Sequence, residues 1–182
     1  MQLTVHHYLK LASTQMTAKD YLALGAEEGT VIVADEQTAG RGQFGRVWQS
    51  LKGNLHCSVI LKPPTRLEPF YPELAMMAAT AVQNALQEMI PETPITLKVP
   101  NDILIDGKKF AGILIEVETG AIVMGVGLNI KKAPEGLDQP TTCLNNYTET
   151  IFTLTDVLPI ILRCLWHQYA QWISKHGVGS KA

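Results

Sequence analysis

The sequence predicts an α+β domain built on a mixed, mostly antiparallel sheet with flanking helices. Three observations lead there. Two turn pairs, Asp106-Gly107 and Thr119-Gly120, each join apolar runs and read as tight hairpins. Apolar residues with helical spacing are confined to three segments that do not alternate strictly with the strand candidates. The 182 residues, 46% apolar and 18% charged, suit a single domain over 1–182.

Residues 3–8 form the first strand candidate. Ser13 then caps a helix in which Met16, Leu22 and Leu24 recur at rough helical spacing until Gly25 stops it. Residues 30–34 are β-branched and apolar without helical period, as in a buried strand, and lead into a glycine-rich loop over 37–50. Residues 55–61 read as another strand. Pro69 and Pro72 open a helix whose Leu74, Met77, Ala78, Ala81, Val82 and Ala85 form one apolar face that ends before Pro91. Four strands follow as a meander over 95–99, 103–105, 110–117 and 121–130. Residues 131–150 carry Pro, Gly, Asn and Thr without period and read as loop. A last helix over 154–173 buries Leu158, Ile161, Leu162, Leu165, Trp166, Tyr169 and Trp172, with Gly177 beyond its end.

Composition removes several functions. The longest apolar runs, 74–79 and 157–162, fall far short of the roughly 20 residues that a membrane span needs. Fifteen basic against 17 acidic side chains leave a net charge of −2, which argues against a bulk electrostatic grip on DNA or anionic membrane. Cys57, Cys143 and Cys164 form neither a CxxC pair nor a disulfide framework and read as small buried residues in a reducing compartment. His6 and His7 interrupt the first apolar run and no basic stretch precedes it, so no signal peptide and a cytoplasmic location are expected. The five histidines show no HxxxH or HxH pairing, and there is no Gly-x-Ser-x-Gly elbow. Zinc hydrolysis and serine acyl transfer therefore lose their usual signatures.

Two of only four arginines, Arg41 and Arg46, stand in the loop Thr38-Ala-Gly-Arg-Gly-Gln-Phe-Gly-Arg-Val-Trp48. Gly40, Gly42 and Gly45 would let backbone N–H groups approach an anion, and two guanidiniums can bind phosphate or carboxylate oxygens bidentately. Gly40-x-Gly42-x-x-Gly45 matches the dinucleotide fingerprint in spacing, but no helical period follows it. Gly40 to Gly45 also has P-loop spacing, yet Arg46-Val47 stands where Lys and then Ser or Thr must meet phosphate and Mg²⁺. An anion loop and a merely solvated glycine loop remain as readings.

Lys98-Val-Pro-Asn-Asp102 and Gly107-Lys-Lys-Phe-Ala-Gly112 flank one short strand, so a hairpin would gather Lys98, Asp102 and Lys109. An ammonium can stabilise charge developing on a carboxylate or α-phosphate, and a carboxylate can hold Mg²⁺ carrying pyrophosphate. Adenylyl transfer suits that set; a solvated turn with an incidental ion pair is the alternative. In Gly125-Val-Gly-Leu-Asn-Ile130 the glycines invite something to approach the backbone.

Taken in order, these segments resemble the catalytic domain of biotin protein ligases, over roughly residues 3–175. The carrying residues are Ser13-Thr14, Gly40-Arg-Gly-Gln-Phe-Gly-Arg-Val-Trp48, Lys98-Val-Pro-Asn-Asp102 with Lys109 and Gly112-Ile-Leu114, and Gly125-Val-Gly-Leu-Asn129. The resemblance implies a class II aminoacyl-tRNA synthetase-like fold and a two-step reaction through biotinyl-5′-AMP, with ATP and biotin as substrates and Mg²⁺ as cofactor. It places Ser13, Thr14, Gln37 and Gly40 at biotin, with Gly112 and Leu114 as its wall. It gives Arg41 and Lys109 to the biotin carboxylate and α-phosphate as the catalytic pair, and Arg46 to the phosphates. Trp48, Asn101 and Asn129 fall to the adenylate, and Asp102 to Mg²⁺. The implied partner is the biotin carboxyl carrier domain of a biotin-dependent carboxylase, with no DNA and no membrane; a homodimer is possible through exposed edge strands.

Departures from the family pattern carry expectations of their own. Gln43 and Phe44 replace paired arginines in the loop, so the chain should either release biotinyl-AMP more readily or close the loop by packing Phe44. Val99 stands for the usual tryptophan and removes an aromatic wall. A single domain is expected, with neither an N-terminal DNA-binding domain nor a complete C-terminal β-barrel. Lipoate or octanoate attachment is the rival within the same superfamily, and a non-catalytic biotin or nucleotide binder is the rival outside it.

Overall fold

The computed structural model describes residues 3–64, 67 and 70–176; Pro69 and Gly177 lie outside them. Seven strands and three helices run in the order β1 (Thr4–Leu11), α1 (Thr14–Ala23), β2 (Thr30–Gln37), β3 (Leu55–Leu61), α2 (Tyr71–Met89), β4 (Ile95–Lys98), β5 (Asp102–Ile105), β6 (Lys108–Glu118), β7 (Ala121–Leu128) and α3 (Leu154–His176). The strands form one sheet in the order β1-β2-β3-β7-β6-β5-β4. Only β1 and β2 pair in parallel, as the crossover through α1 requires; the other neighbours are antiparallel. The expected mixed α+β architecture is present.

Both predicted hairpin turns are made. Asp106 and Gly107 have φ of 51° and 74°, and Thr119 and Gly120 have 48° and 79°. Two successive positive φ values match the right-handed twist of the strands they join, and the glycines supply the second without steric cost.

The sheet separates two environments by its period of two. One face carries Leu55, Cys57, Val59 and Leu61 of β3, Ile113 of β6, and Ile122, Met124, Val126 and Leu128 of β7 into the main core. There they meet Leu74, Ala78, Val82 and Leu86 of α2 and Ile161, Leu165 and Trp172 of α3. Each fully buried leucine of this set contributes about 2 kcal/mol of transfer free energy. α3 starts where Asp156 accepts hydrogen bonds from the Thr153 N–H (2.8 Å) and hydroxyl (2.6 Å), a capping arrangement.

The opposite face holds a smaller cluster of Ala18, Ile32, Ile60 and Val123 beneath α1. Here the sequence expectation is corrected. α1 buries Thr14, Gln15 and Ala18 and packs Leu22 against that cluster as expected, while Met16 is exposed and Leu24 is 87% exposed. Ser13 does occupy the N-cap position, but its hydroxyl makes no capping bond. The helix turns polar side chains inward because they meet other polar groups of the sheet.

Candidate active site

Those inward polar groups begin a cleft of about 330 Å³ between α1, the sheet, the glycine-rich loop and residues 137–141. At one end Gln37, the last residue of β2, accepts hydrogen bonds through Oε1 from the Thr14 N–H (2.7 Å) and hydroxyl (3.2 Å), and its Nε2 donates to Ser50 Oγ (2.9 Å). Ser58 Oγ lies 2.9 Å from both Thr14 Oγ1 and Gln15 Oε1, and Gln15 Nε2 donates to the Val123 carbonyl at 2.9 Å. The Ser13 hydroxyl is buried without a partner among the described residues, although it lines the cleft. A buried hydroxyl left unpaired costs roughly 1–3 kcal/mol, so this end is built to receive a polar ligand group.

The loop over 38–50 folds back as a small hairpin. Gly42 N–H donates to the Arg46 carbonyl (2.7 Å), Trp48 N–H to the Gly40 carbonyl (2.9 Å), and Arg41 pairs with Val47. Gly40 does not line the cleft. A Cβ there would stand 2.4 Å from the Trp48 carbonyl oxygen, so its glycine serves the loop's own closure.

That closure lays the Trp48 indole across the sheet. A Cβ at Gly127 would meet Trp48 Cε2 at 2.4 Å and Cζ2 at 2.6 Å; one at Gly112 would meet Cζ3 at 2.8 Å. Gly112 and Gly127 are register partners on β6 and β7, so together they form a flat notch for the ring. The approach that the glycines of β7 invite thus comes, at 127, from Trp48 and, at 125, from Gln15 Oε1, 2.7 Å from the Cβ position.

Three cations converge on the cleft: Arg41, Arg46 and Lys109. Lys109 Nζ stands 2.7 Å from Asp102 Oδ1 and 5.5 Å from the Trp48 ring centroid. Arg41 Nη2 is 3.9 Å from Glu116 Oε1, which also receives Lys19 Nζ at 2.9 Å. Arg46 lies 5.8 Å from the Phe44 ring. Cys57 also lines the cleft, but burial pushes its thiol up to about 12, so it is no nucleophile near neutrality.

The structure therefore brings Ser13, Thr14, Gln37, Arg41, Arg46, Trp48, Asn101, Lys109, Gly112 and Leu114 to one cleft. Gly40, Asp102 and Asn129 do not line it. Asp102 reaches it only through Lys109. The Asn129 amide is buried, donating to the Thr142 carbonyl at 3.0 Å and accepting from Asn54 at 3.4 Å, so in this structure it braces the 130–142 segment. Val99 is exposed and lines nothing there, and Phe44, at φ 56° and 91% exposed, is not packed into the cleft.

Gln15, Ser58 and Glu116 were not expected. Ser58 alone had a signal, as a polar residue within an apolar strand. All three cysteines are free and buried, as expected. Among the described residues no helix is long and apolar enough to cross a membrane, and no three His, Cys, Asp or Glu side chains are grouped to hold a metal.

Comparison with known proteins follows the same cleft. Residues 8–132 match the model of the Biotin/lipoate A/B protein ligase family. Over 177 residues the chain is 37% identical to the Bifunctional ligase/repressor BirA of Bacillus subtilis, covering 92% of this chain and 54% of that protein. It is 34% identical to the Biotin--[acetyl-CoA-carboxylase] ligase of Mycobacterium tuberculosis, covering 89% of this chain and 64% of that protein. The chain thus spans between half and two thirds of these curated relatives. Among solved structures, a biotin protein ligase from Aquifex aeolicus in complex with biotin and ATP superposes with a TM-score of 0.83 at 29% identity, covering 95% of this chain and 73% of that one. A Leishmania major biotin protein ligase in complex with biotinyl-5-AMP gives 0.79 at 28%, covering 97% and 77%.

Proposed function

This chain belongs to the Biotin/lipoate A/B protein ligase family, and on that premise we propose that it attaches biotin to a lysine of a biotin carboxyl carrier domain in two ATP-driven steps. In the first, a biotin carboxylate oxygen attacks the α-phosphorus of ATP and the bond to pyrophosphate breaks. In the second, the neutral amine of the acceptor lysine attacks the carbonyl carbon of biotinyl-5′-AMP, AMP leaves with the anhydride oxygen, and the amine loses a proton.

The observation that carries this reading is that Arg41 and Lys109, 68 positions apart in the chain (109 − 41), line the same cleft beside the Trp48 ring. Two cations around a reacting carboxylate and phosphate offset the repulsion between anions and stabilise the charge that builds on the phosphoryl oxygens. In our reading Ser13, Thr14 and Gln37 take the polar head of biotin, Gly112 and Leu114 line its passage, Trp48 and Asn101 take the adenine, and Arg46 the phosphates. Neither step needs a covalent enzyme intermediate.

Mg²⁺ usually takes only one or two protein carboxylates and fills its remaining positions with water and phosphate oxygens. Asp102 fits that modest demand once Lys109 turns from it toward the ligand. Bound there, the ion would neutralise phosphate charge.

The test is a mass measurement on a purified biotin carrier domain incubated with the protein, biotin, ATP and Mg²⁺. One biotin added per carrier domain, and its loss with Lys109→Ala, is the expected result. Transfer from lipoate in place of biotin, or no transfer at all, would overturn the reading.

A further inference from the structure

The 130–142 segment leaves β7 and returns to the cleft, and one buried side chain that does not line the cleft holds its neck. Asn54, immediately before β3, is 1% exposed. Its Oδ1 accepts from three successive backbone N–H groups, those of Ile130 (3.0 Å), Lys131 (3.0 Å) and Lys132 (3.1 Å). Its Nδ2 donates to the Lys132 carbonyl (2.7 Å) and to Asn129 Oδ1 (3.4 Å). Successive N–H groups converging on one point form a nest for an oxygen, and a carboxamide fills it while offering donors from its other end.

The far end of the segment reaches Lys109. β7 last pairs with β6 at Leu128 and Ala111, so the residues of β6 before Ala111 lack β7 as a neighbour. Residues 140–142 take its place, with Thr141 bridging to Lys109 in parallel. The Lys109 N–H donates to the Pro140 carbonyl (2.7 Å), and the Lys109 carbonyl accepts from the Thr142 N–H (2.9 Å). Thr142 is held in turn, since its own carbonyl accepts from Asn129 Nδ2 at 3.0 Å. An unbroken run of hydrogen bonds thus leads from Asn54 through Asn129 and Thr142 to the backbone of Lys109, whose Nζ stands at Asp102.

We propose that Asn54 is a positioning residue for Lys109: it clamps both ends of the 130–142 segment, the start directly and the end through Asn129, and so fixes the backbone on which Lys109 rests. Truncating the amide would leave the three N–H groups of residues 130–132 without their acceptor and Asn129 without the donor that orients it. Misplacing a reacting group by about 1 Å can cost about 10²-fold in rate, so a small slip of this backbone matters. The clamp belongs to the ligand-free fold. Only its effect on catalysis rests on the function proposed above.

The test begins with amide hydrogen exchange, followed by nuclear magnetic resonance on the ligand-free, ¹⁵N-labelled protein. In wild type the Lys109 and Thr142 amides should be protected; exchange at the rate of an exposed amide overturns the proposal whichever variants fold. In Asn54→Ala both should exchange at least about ten-fold faster, while Val31 and Val33 of β2 stay within about two-fold. In Asn54→Asp a carboxylate still accepts at the start of the segment but offers Asn129 no donor, so both amides should fall between wild type and Asn54→Ala. Wild-type rates at both amides in either variant overturn the proposal, and so does an acceleration that β2 shares equally. In biotin-dependent pyrophosphate release, kcat should fall at least about ten-fold in Asn54→Ala, with the KM for biotin raised no more than about three-fold because Ser13, Thr14 and Gln37 are untouched. Leu86→Ala in α2 lowers stability without touching the segment and should leave kcat near wild type; an equal fall there overturns the positioning role. Should no pyrophosphate form in any protein, the ligase reading fails while the exchange rates still decide the clamp.

Discussion

Gly127→Ala puts one methyl group where the Trp48 indole now lies. The new Cβ would stand 2.4 Å from Cε2, 2.6 Å from Cζ2 and 2.9 Å from Nε1, all well inside van der Waals contact. β7 cannot retreat, because β3 and β6 pair with it on both sides, so the ring must lift. Overpacking typically costs about 1–3 kcal/mol, and a loop at the surface relieves part of it, so about 1 kcal/mol of stability should be lost. In a domain of this size that lowers Tm by about 2–4 °C. On the proposed function, which gives Trp48 to the adenine, binding suffers more: the KM for ATP in biotin-dependent pyrophosphate release should rise at least about ten-fold, each ten-fold being about 1.4 kcal/mol. Trp48→Ala supplies the control. In the double variant the methyl has nothing to strike, so the two stability losses should add to less than their sum by more than about 0.5 kcal/mol. Gly107→Ala strains a turn at φ 74° but meets no atom within 4 Å, and should lower Tm without moving the ATP KM. Strict additivity of the cycle, together with a wild-type KM in Gly127→Ala, would refute the account of the notch.

Further predictions concern charge, thiols and acid. Lys109→Ala should slow biotinyl-AMP formation by about 10²–10³, as loss of one preorganised donor does, and should also destabilise the fold by stranding Asp102. Adding Asp102→Asn to Lys109→Ala should recover Tm but not the rate, which separates the two effects by calorimetry and single-turnover kinetics. All three cysteines are buried and burial raises each thiol, so native protein at pH 7.5 should react negligibly with a thiol-specific dye, and protein in guanidinium should show three thiols. His56 falls from 6.5 to about 4 on folding, chiefly through burial, so the unfolded chain takes up its proton first. Its contribution is complete above pH 6.5 and is lost as pH falls toward 4, about 3 kcal/mol in all; His56→Gln should flatten that part of the urea-unfolding profile, and an unchanged slope would contradict it. Gln43→Arg should retain biotinyl-AMP longer than wild type, measured as free adenylate in the absence of carrier domain; equal release would remove charge at position 43 as the cause.

Much of the fold could be read in the chain because its signals were local. The Asp106-Gly107 and Thr119-Gly120 turns and the apolar stripe of α2 each depend on neighbours a few residues away. α1 misled because its short polar residues, not Met16 or Leu24, face the sheet, and the reason lies 44 residues downstream in Ser58. The same limit applies to the cleft. Glycines 112, 125 and 127 announce a close approach, but nothing near them in sequence says that Trp48 and Gln15 make it. Nor does the sequence show that the Asn129 amide, which follows a glycine pair, is engaged by Thr142 and Asn54. Glu116 gave no sign at all, since its role appears only when β6, α1 and the Arg41 loop meet.

The period of two in β3, β6 and β7 separates stability from chemistry within the same strands. Cys57, Val126 and Ile113 point largely to the helices, and their neighbours Ser58, Gly127 and Gly112 to the cleft. A core built by α2 and α3 on one face frees the other to carry what cores avoid: an unpaired hydroxyl, a glycine notch and converging cations. Those cations are not idle without ligand, because Lys109 rests on Asp102 and Arg41 near Glu116. On the proposed function, an arriving carboxylate and triphosphate would exchange one set of anions for another instead of meeting bare charge. The gain from such an exchange is smaller than from bare cations, but the side chains are already held near the geometry they need, and less order has to be imposed when the substrates meet.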